Sequence, residues 1–499
     1  MNPTKEQVEA VDLSVEGALR VNAYAGTGKT STLKLIAAAA EVRNQRGLYL
    51  AFNKSIATEA ATQFVSSVAC KTTHSLAFGA MIRPFNNNME KMTGSINAIS
   101  VANTLRLQPV TVVGMARPFT DREMGAIVLN TVRRYCHSAD RDIGQHHIAR
   151  DGILEALDRA AMSSLAERVL PAAQKLWQQM ADPISATPCG HDGYLKAWAL
   201  RRPRINADYV MLDEAQDSNP VILEVLAQAA VKTIYVGDRF QQIYTFRGAV
   251  NAMDTVQTPN TSYLTQSWRF GPNIARFATD IIGHLGAPKP LLGNPGIIDA
   301  LRVLGDDRGG QQDKETVAVL CRTNAELISE YVYLLSKHKR PHIVGGTAEI
   351  ERLLQDAERL QSGERATSPE FLGFSNWDEL TTFVNSQITK SPLKSFVKLV
   401  DDHGCRELLN AVKVAAKSEA ETNYVLSTAH KAKGREWDRV RLGTDFRVDG
   451  EEEGELGAPD ELRLFYVACT RAKTALGVPR EYVMAVEAAN NAHQEAVRA

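Results

Sequence analysis

The sequence is short of the features that mark membrane-spanning, secreted and metal-clustered proteins. No stretch approaches the ~18 consecutive apolar residues of a membrane-spanning helix. The opening Met1-Asn-Pro-Thr4-Lys5-Glu6-Gln7 lacks the apolar region of a signal peptide. Together these absences lead us to expect a cytoplasmic protein with no membrane partner. Six cysteines (Cys70, Cys136, Cys189, Cys321, Cys405, Cys469) are scattered without a C-x-x-C pair, which argues against a zinc ribbon, an iron–sulfur cluster or a disulfide framework. Cys136-His137 and His146-His147 carry metal-ligand chemistry, but we expect them on a solvated, partly helical surface. Net charge is −1, so any nucleic-acid contact must come from a local basic groove. Residues 81–205 carry 16 Lys+Arg against 11 Asp+Glu, and Asp449 to Glu461 holds seven acidic residues and no basic one. Both runs read as solvated surface.

What is present begins with length: 499 residues, 44% hydrophobic and 23% charged, give an ordinary globular composition and room for about two to four domains. An apolar run, Ala18 to Asn22, leads into Ala23-Tyr-Ala25-Gly26-Thr27-Gly28-Lys29-Thr30 and then an alanine-rich helical segment to Glu41. A glycine-rich turn between strand and helix aims backbone N–H groups and the helix N-terminus at a phosphate chain. Ala25 to Gly28 are then the cradle, Lys29 reaches the β- and γ-phosphates, and the Thr30 hydroxyl holds Mg²⁺. Ala23 stands where the usual pattern has glycine. Ahead of the loop, Thr4 and Gln7 have capping-box spacing. That role suffices for Gln7, although its amide also suits adenine.

A second short strand, Leu48 to Phe52, runs into Asn53-Lys54, and Cys70-Lys-Thr-Thr-His74-Ser75 closes this block. From about Ala80 to Asn206 the apolar spacing turns helical (Glu123 to Tyr135, Ile153 to Met180), broken by Pro84, Pro109, Pro118, Pro171 and Pro183. Alternation resumes at Tyr209–Leu212 and ends in Asp213-Glu214-Ala-Gln-Asp217, with a helix start at Ser218 or Asn219 before Pro220. Carboxylates at the end of a buried strand lie where α/β sheets bind ligands. Asp213 can complete a Mg²⁺ shell and Glu214 can orient or deprotonate a water. The strand Thr233–Val236 leads into Gly237-Asp-Arg-Phe-Gln241-Gln-Ile-Tyr244-Thr-Phe246-Arg247-Gly248, whose amides and rings suit γ-phosphate and stacked bases. Pro272 opens a helix, Val317–Cys321 is a further strand ending in Arg322-Thr-Asn324, and residues 346–423 are helical. Sheet pattern returns at Tyr424, followed by His430 and Glu436. Beyond Pro479 there is a short helical tail.

In this order AYAGTGKTSTL, LAFNKSIA, CKTTHSLAFG, DEAQDSNP, GDRFQQIYTFRGAVNA, LTQSWRFGPNIA, AHKAKGREWD and LRLFYVACTRAK resemble the UvrD/Rep-type superfamily 1 DNA helicases, in particular their F-box DNA helicase branch. With Gln7 ahead of them, the likeness runs from Gln7 to Lys473. The sequence begins at the helicase portion, so we expect a prokaryotic or phage-type core without a ubiquitin-ligase role.

The resemblance implies an α/β fold of two RecA-like P-loop domains, each with a mainly helical insertion, and ATP between them. Residues 1–80 and 206–265 would form the first domain and 81–205 its insertion. Residues 266–345 and 424–480 would form the second, with 346–423 its insertion and 481–499 a C-terminal tail. By the same resemblance Gln7 reads adenine, Trp268 stacks on it and Glu436 meets the ribose. Gln241 senses the γ-phosphate, and Arg269 and Arg471 act as arginine fingers. The implied DNA track is Phe52, Asn53, His74, Phe246, Arg247, Asn324 and His430; for the two histidines, a hydrogen bond that fixes a loop is an equally simple role. The expected activity is ATP- and Mg²⁺-dependent movement on single-stranded DNA with 3′→5′ polarity, unwinding tailed duplexes in repair or recombination control. Alternatives are a translocase that strips recombinase filaments, and an ATP-gated DNA-binding subunit beside a partner nuclease. A monomer is expected. Phe246 replaces a tryptophan common in UvrD, Thr73 an aromatic, and the 346–423 insertion is short for the family.

Overall fold

A computed structural model describes residues 3–112, 117–150, 154–155, 157–244, 250–305, 315–366, 368, 371, 374–386, 392–450 and 455–498. The chain divides into two compact units. Met1–Ala23, Lys29–Arg239 and Tyr244–Leu264 form the first; Tyr24–Gly28, Phe240–Ile243 and Thr265–Ala499 form the second.

The first unit is built on strands β1 (Leu19–Ala23), β2 (Gly47–Ala51), β3 (Val68–Thr72), β4 (Tyr209–Leu212), β5 (Lys232–Gly237) and β6 (Asn260–Leu264), in the order β3-β2-β4-β5-β1-β6. Every pair in this sheet is parallel. Strands β2 and β4 are buried along their whole length, which is why they read as continuous apolar runs. Successive residues serve opposite faces. Leu48, Leu50, Val210 and Leu212 pack with the helices Thr73–Met81, Gly190–Leu200 and Pro220–Ala229. Tyr49, Ala51, Tyr209 and Met211 pack with Lys29–Glu41 and Lys54–Gln63.

Between β3 and β4 lie helices with a core of their own, in which Val128, Leu129 and Val132 of Asp121–His137 meet Leu165, Val169 and Leu176 of Arg159–Ala181. Pro171 was expected to break the second of these helices, and it does not: the helix runs through it. Buried Val169, Ala173 and Leu176 on either side anchor the helix and offset the missing N–H bond. Ile153 lies outside the described residues.

The second unit carries β7 (Ala300–Leu304), β8 (Val317–Cys321), β9 (His342–Ile343), β10 (Tyr424–Thr428), β11 (Trp437–Leu442) and β12 (Ala472–Pro479), again wholly parallel, in the order β7-β12-β11-β8-β10-β9. Helices Ala348–Gln361, Trp377–Ser386, Pro392–His403 and Cys405–Val412 share a core with Val319, Cys321 and Leu426 of the sheet. The fold is thus α/β with two parallel sheets and added helices. Among the described residues, no helix is long and apolar enough to cross a membrane.

Candidate nucleotide site and nucleic-acid track

In a parallel α/β sheet the chemistry collects where strands end at their carboxyl edge. β1 delivers the turn Tyr24–Gly28 and the helix Lys29–Glu41; β4 delivers Asp213 and Glu214. Gly26 and Gly28 have φ of 73° and 83°, a left-handed backbone that favours glycine. A Cβ on Gly26 would also stand 2.6 Å from Ser267 Oγ and 2.7 Å from Arg269 Cβ.

In the first unit, Lys29 Nζ lies 3.4 Å from Glu214 Oε1. Asp213 is buried beneath them and accepts a 2.6 Å bond from the Tyr49 hydroxyl and a 2.9 Å bond from the Glu214 N–H. Burial, then the Glu214 carboxylate, pushes the Asp213 carboxyl up, against the Tyr49 bond and the Lys29 charge. Burial and Asp213 in turn drive the Tyr49 phenol well above its ordinary value, so it remains a donor. Glu214 sits in the left-handed region at φ 50°, a strained backbone of the kind found at functional sites. Its Oε2 accepts from the Gln216 amide, whose own oxygen accepts from the Asp238 N–H at 3.1 Å. Gln216 thereby ties the end of β4 to the end of β5. Thr30 is exposed on the first turn of its helix. Buried Asp213 and half-buried Glu214, faced by one lysine, with a hydroxyl at the helix start, fit a divalent cation of the Mg²⁺ type.

Gln7 closes the capping box on Thr4, with its Oε1 accepting from Thr4 N–H at 3.0 Å and its Nε2 donating to Thr32 Oγ1 at 3.2 Å. Both ends of its amide are engaged within the unit.

The second unit gathers another set. Arg471 is almost wholly buried and donates through Nε to Val467 O at 2.8 Å, and through Nη2 to Thr470 Oγ1 at 3.0 Å and Gln241 Oε1 at 3.2 Å. Arg269 donates to Thr470 O at 2.9 Å and pairs with Glu436 at 2.8 Å. The Gly26 carbonyl accepts from Trp268 N–H at 2.8 Å, and Ala25 N–H donates to the Tyr466 hydroxyl at 3.2 Å. Trp268 is 37% exposed. Gln241, Arg269, Arg471, Glu436 and the cradle backbone therefore stand in one network centred on Thr470.

The residues expected on the DNA track follow strand ends too. Phe52 and Asn53 follow β2, His74 follows β3, Asn324 follows β8 and His430 follows β10. Phe52 is half exposed and stacks on Tyr244, with centroids 6.1 Å apart and planes 14° apart. The Asn53 side chain caps its helix by accepting from Ile56 N–H at 2.9 Å. His74 lies 3.1 Å from Asp192, and the other oxygen of that carboxylate lies 3.0 Å from His137. Burial alone would raise Asp192, but the bonds from His137 and His74 and their charge hold it well below the usual carboxylate range. Asn324 donates to Glu349 at 3.1 Å, and Glu349 pairs with Lys431 at 2.8 Å. Phe246 and Arg247 lie outside the described residues.

Residues 3–257 match the UvrD/REP helicase N-terminal domain, and residues 374–479 match the UvrD-like helicase C-terminal domain. The chain belongs to the UvrD/REP helicase family. F-box DNA helicase 1 of Gallus gallus is 29% identical over 511 residues, covering 95% of this chain and 48% of that protein. F-box DNA helicase protein 1 of Schizosaccharomyces pombe is 30% identical over 512 residues, covering 95% of this chain and 57% of its own length. A probable DNA helicase II homolog of Mycoplasma pneumoniae is 34% identical over 100 residues, covering 18% of this chain and 14% of that protein. The chain spans about half the length of the two eukaryotic relatives, and these long matches lend no support to the expected prokaryotic or phage-type origin.

Within this UvrD/REP helicase chain several residues make contacts that the sequence alone does not announce. Tyr49 carried a faint signal, since a tyrosine in a fully buried strand needs a partner for its hydroxyl. Gln216, Tyr466 and Thr470 lie inside quoted motifs but had no assigned task. Asp445 had no signal at all: it accepts from the N–H groups of Arg322 and Thr323 at 2.8 and 2.7 Å, which fixes the end of β8.

Proposed function

We propose that this chain is an ATP- and Mg²⁺-dependent translocase on single-stranded DNA that unwinds tailed duplexes with 3′→5′ polarity, in DNA repair or recombination control. The observation that carries the proposal is Lys29 beside Glu214, above buried Asp213, at the carboxyl edge of a parallel sheet in a UvrD/REP-family chain. Thr30 and Asp213 would hold Mg²⁺, and the bound ion would neutralise phosphate charge. The Gly26–Gly28 cradle would bind the phosphates through backbone N–H groups, with Lys29 on the β- and γ-oxygens. Glu214, aimed by Gln216, would orient a water and take its proton. Arg269 and Arg471 would offset charge building on the transferred phosphoryl group, a device worth ~10³–10⁵ in rate where measured. For Arg269 this means leaving Glu436, which would free that carboxylate for the ribose; Gln7 would have to exchange Thr32 for adenine.

Movement follows if grip alternates between the residues after β2 and β3 and those after β8 and β10 as nucleotide binds and leaves. The exposed Phe52–Tyr244 stack offers an aromatic face to a base. Strand displacement by the purified chain on 3′-tailed and 5′-tailed duplexes tests the reading. Displacement of the 3′-tailed substrate alone, dependent on ATP and Mg²⁺, is the expected result. DNA-stimulated hydrolysis without displacement would move the reading to filament stripping, and ATP-dependent DNA binding without turnover to a subunit beside a partner nuclease.

A further inference from the structure

Outside the nucleotide site, the histidines of the first helical insertion fall into two groups, and one is arranged as a ligand set. Cys136 and His147 were expected on a solvated surface; both are buried, because the turn after helix Asp121–His137 folds back over its own core. Cys136 joins that core and His137 is committed to Asp192. Asp140, His146 and His147 remain, and a ligand atom from each lies within 4.8 Å of the others. His146 Nε2 is 2.6 Å and His147 Nε2 3.1 Å from the same Asp140 oxygen. Ligand atoms around a tetrahedral ion with ~2.0–2.1 Å bonds stand about 3.3 Å apart, so His147 already stands near ligand spacing from Asp140, whereas His146 would have to draw back by about 0.7 Å.

The surroundings favour ligation. His147 Nδ1 lies 3.2 Å from the Gly144 carbonyl; an Nδ1–H donated there leaves the Nε2 lone pair toward Asp140, the usual outer-shell arrangement of a ligating histidine. The same Nδ1 lies 2.9 Å from Gly144 N, so the other tautomer also has a partner. A Cβ at Gly144 would stand 2.8 Å from the His146 ring; glycine is what lets that ring lie beside His147, at a centroid distance of 4.0 Å. Ser138 Oγ also lies 3.0 Å from His147 Nε2. Against the site stands the buried Lys196 ammonium, which donates to the carbonyls of Ser138 and Asp140. It fixes the turn, but its charge lowers the affinity for a cation.

We infer that Asp140, His146 and His147 form a binding site for a borderline divalent cation of the Zn²⁺ class, which cross-links the two ends of the 140–147 turn that follows helix Asp121–His137. Two imidazoles and one carboxylate select such ions over Mg²⁺. The site is separate from Thr30 and Asp213, so its failure would leave the proposed activity untouched. The test is calorimetric titration of the chelator-treated full chain with Zn²⁺, for the unaltered sequence, His146→Ala and His403→Ala. His146 and His403 are both exposed, so both variants are expected to fold, with melting temperatures in chelator equal to that of the parent. The expected result is one Zn²⁺ per chain, bound roughly tenfold or more weakly by His146→Ala and unchanged in His403→Ala. Absence of stoichiometric binding in the parent, or equal affinity in parent and His146→Ala, overturns the site.

Discussion

In the proposed mechanism Gln216 would act on the nucleotide chemistry through Glu214, without touching a phosphate. Its amide holds Glu214 on one side and the Asp238 backbone on the other. Gln216→Ala should lower kcat for ATP hydrolysis by about 10- to 100-fold, part of the ~10²–10⁴ a positioned base contributes. KM for ATP should hardly move; a large rise in KM at unchanged kcat would place Gln216 in binding instead. On the proposed DNA track, Phe52→Ala removes the half-exposed member of the Phe52–Tyr244 ring stack. It should weaken single-strand binding by about 1–3 kcal/mol in a fluorescence titration and leave ATPase without DNA intact. Unchanged affinity would remove Phe52 from the track. The positions of Asp213 and Glu214 were legible because they follow directly on a buried strand, and that of Lys29 because it opens a helix after a glycine-rich turn. Thr470 and Tyr49 were not, because a hydroxyl's task depends on which partner the fold brings to it.

At the level of elements, one carboxylate joins three helices. Asp192 of Gly190–Leu200 reaches His74 of Thr73–Met81 and His137 of Asp121–His137. Its folded pKa lies below the unfolded value of about 3.9. The stability it supplies is therefore complete above that value and is lost as pH falls further. Asp192→Asn should lower the melting temperature near neutral pH, and its deficit against the parent should shrink below about pH 4. A deficit that stays constant through that range would contradict the assignment. Pro171 is exposed inside Arg159–Ala181. Pro171→Ala should stabilise the chain by about 1–2 kcal/mol, less than the ~3 kcal/mol helix penalty because proline also restricts the unfolded chain; a raised denaturation midpoint would show it. The strands legible in sequence were those buried on both faces, β1, β2, β4, β5, β8 and β10. Edge strands β3 and β7 alternate between buried and open positions or are largely open, and β9 has two residues, so none carries an apolar run. The Pro171 helix was misread because a local breaker was weighed without the core that holds it.

Across the whole molecule, the order of the motifs sufficed to anticipate two parallel α/β sheets with helices inserted into each. Strand order within the sheets was not legible, since an apolar run announces a strand but not its neighbour. Nor were the networks that centre on Thr470 and Gln216, whose members lie far apart in sequence. In the proposed function, the Lys29 site turns ATP hydrolysis into work on DNA. ATP turnover measured with and without single-stranded DNA, for the parent chain and Lys29→Ala, tests it most directly. The parent should hydrolyse ATP faster when DNA is added, and Lys29→Ala should lose about 10²-fold or more under both conditions. Turnover in Lys29→Ala that matches the parent, or a parent indifferent to DNA, would contradict it.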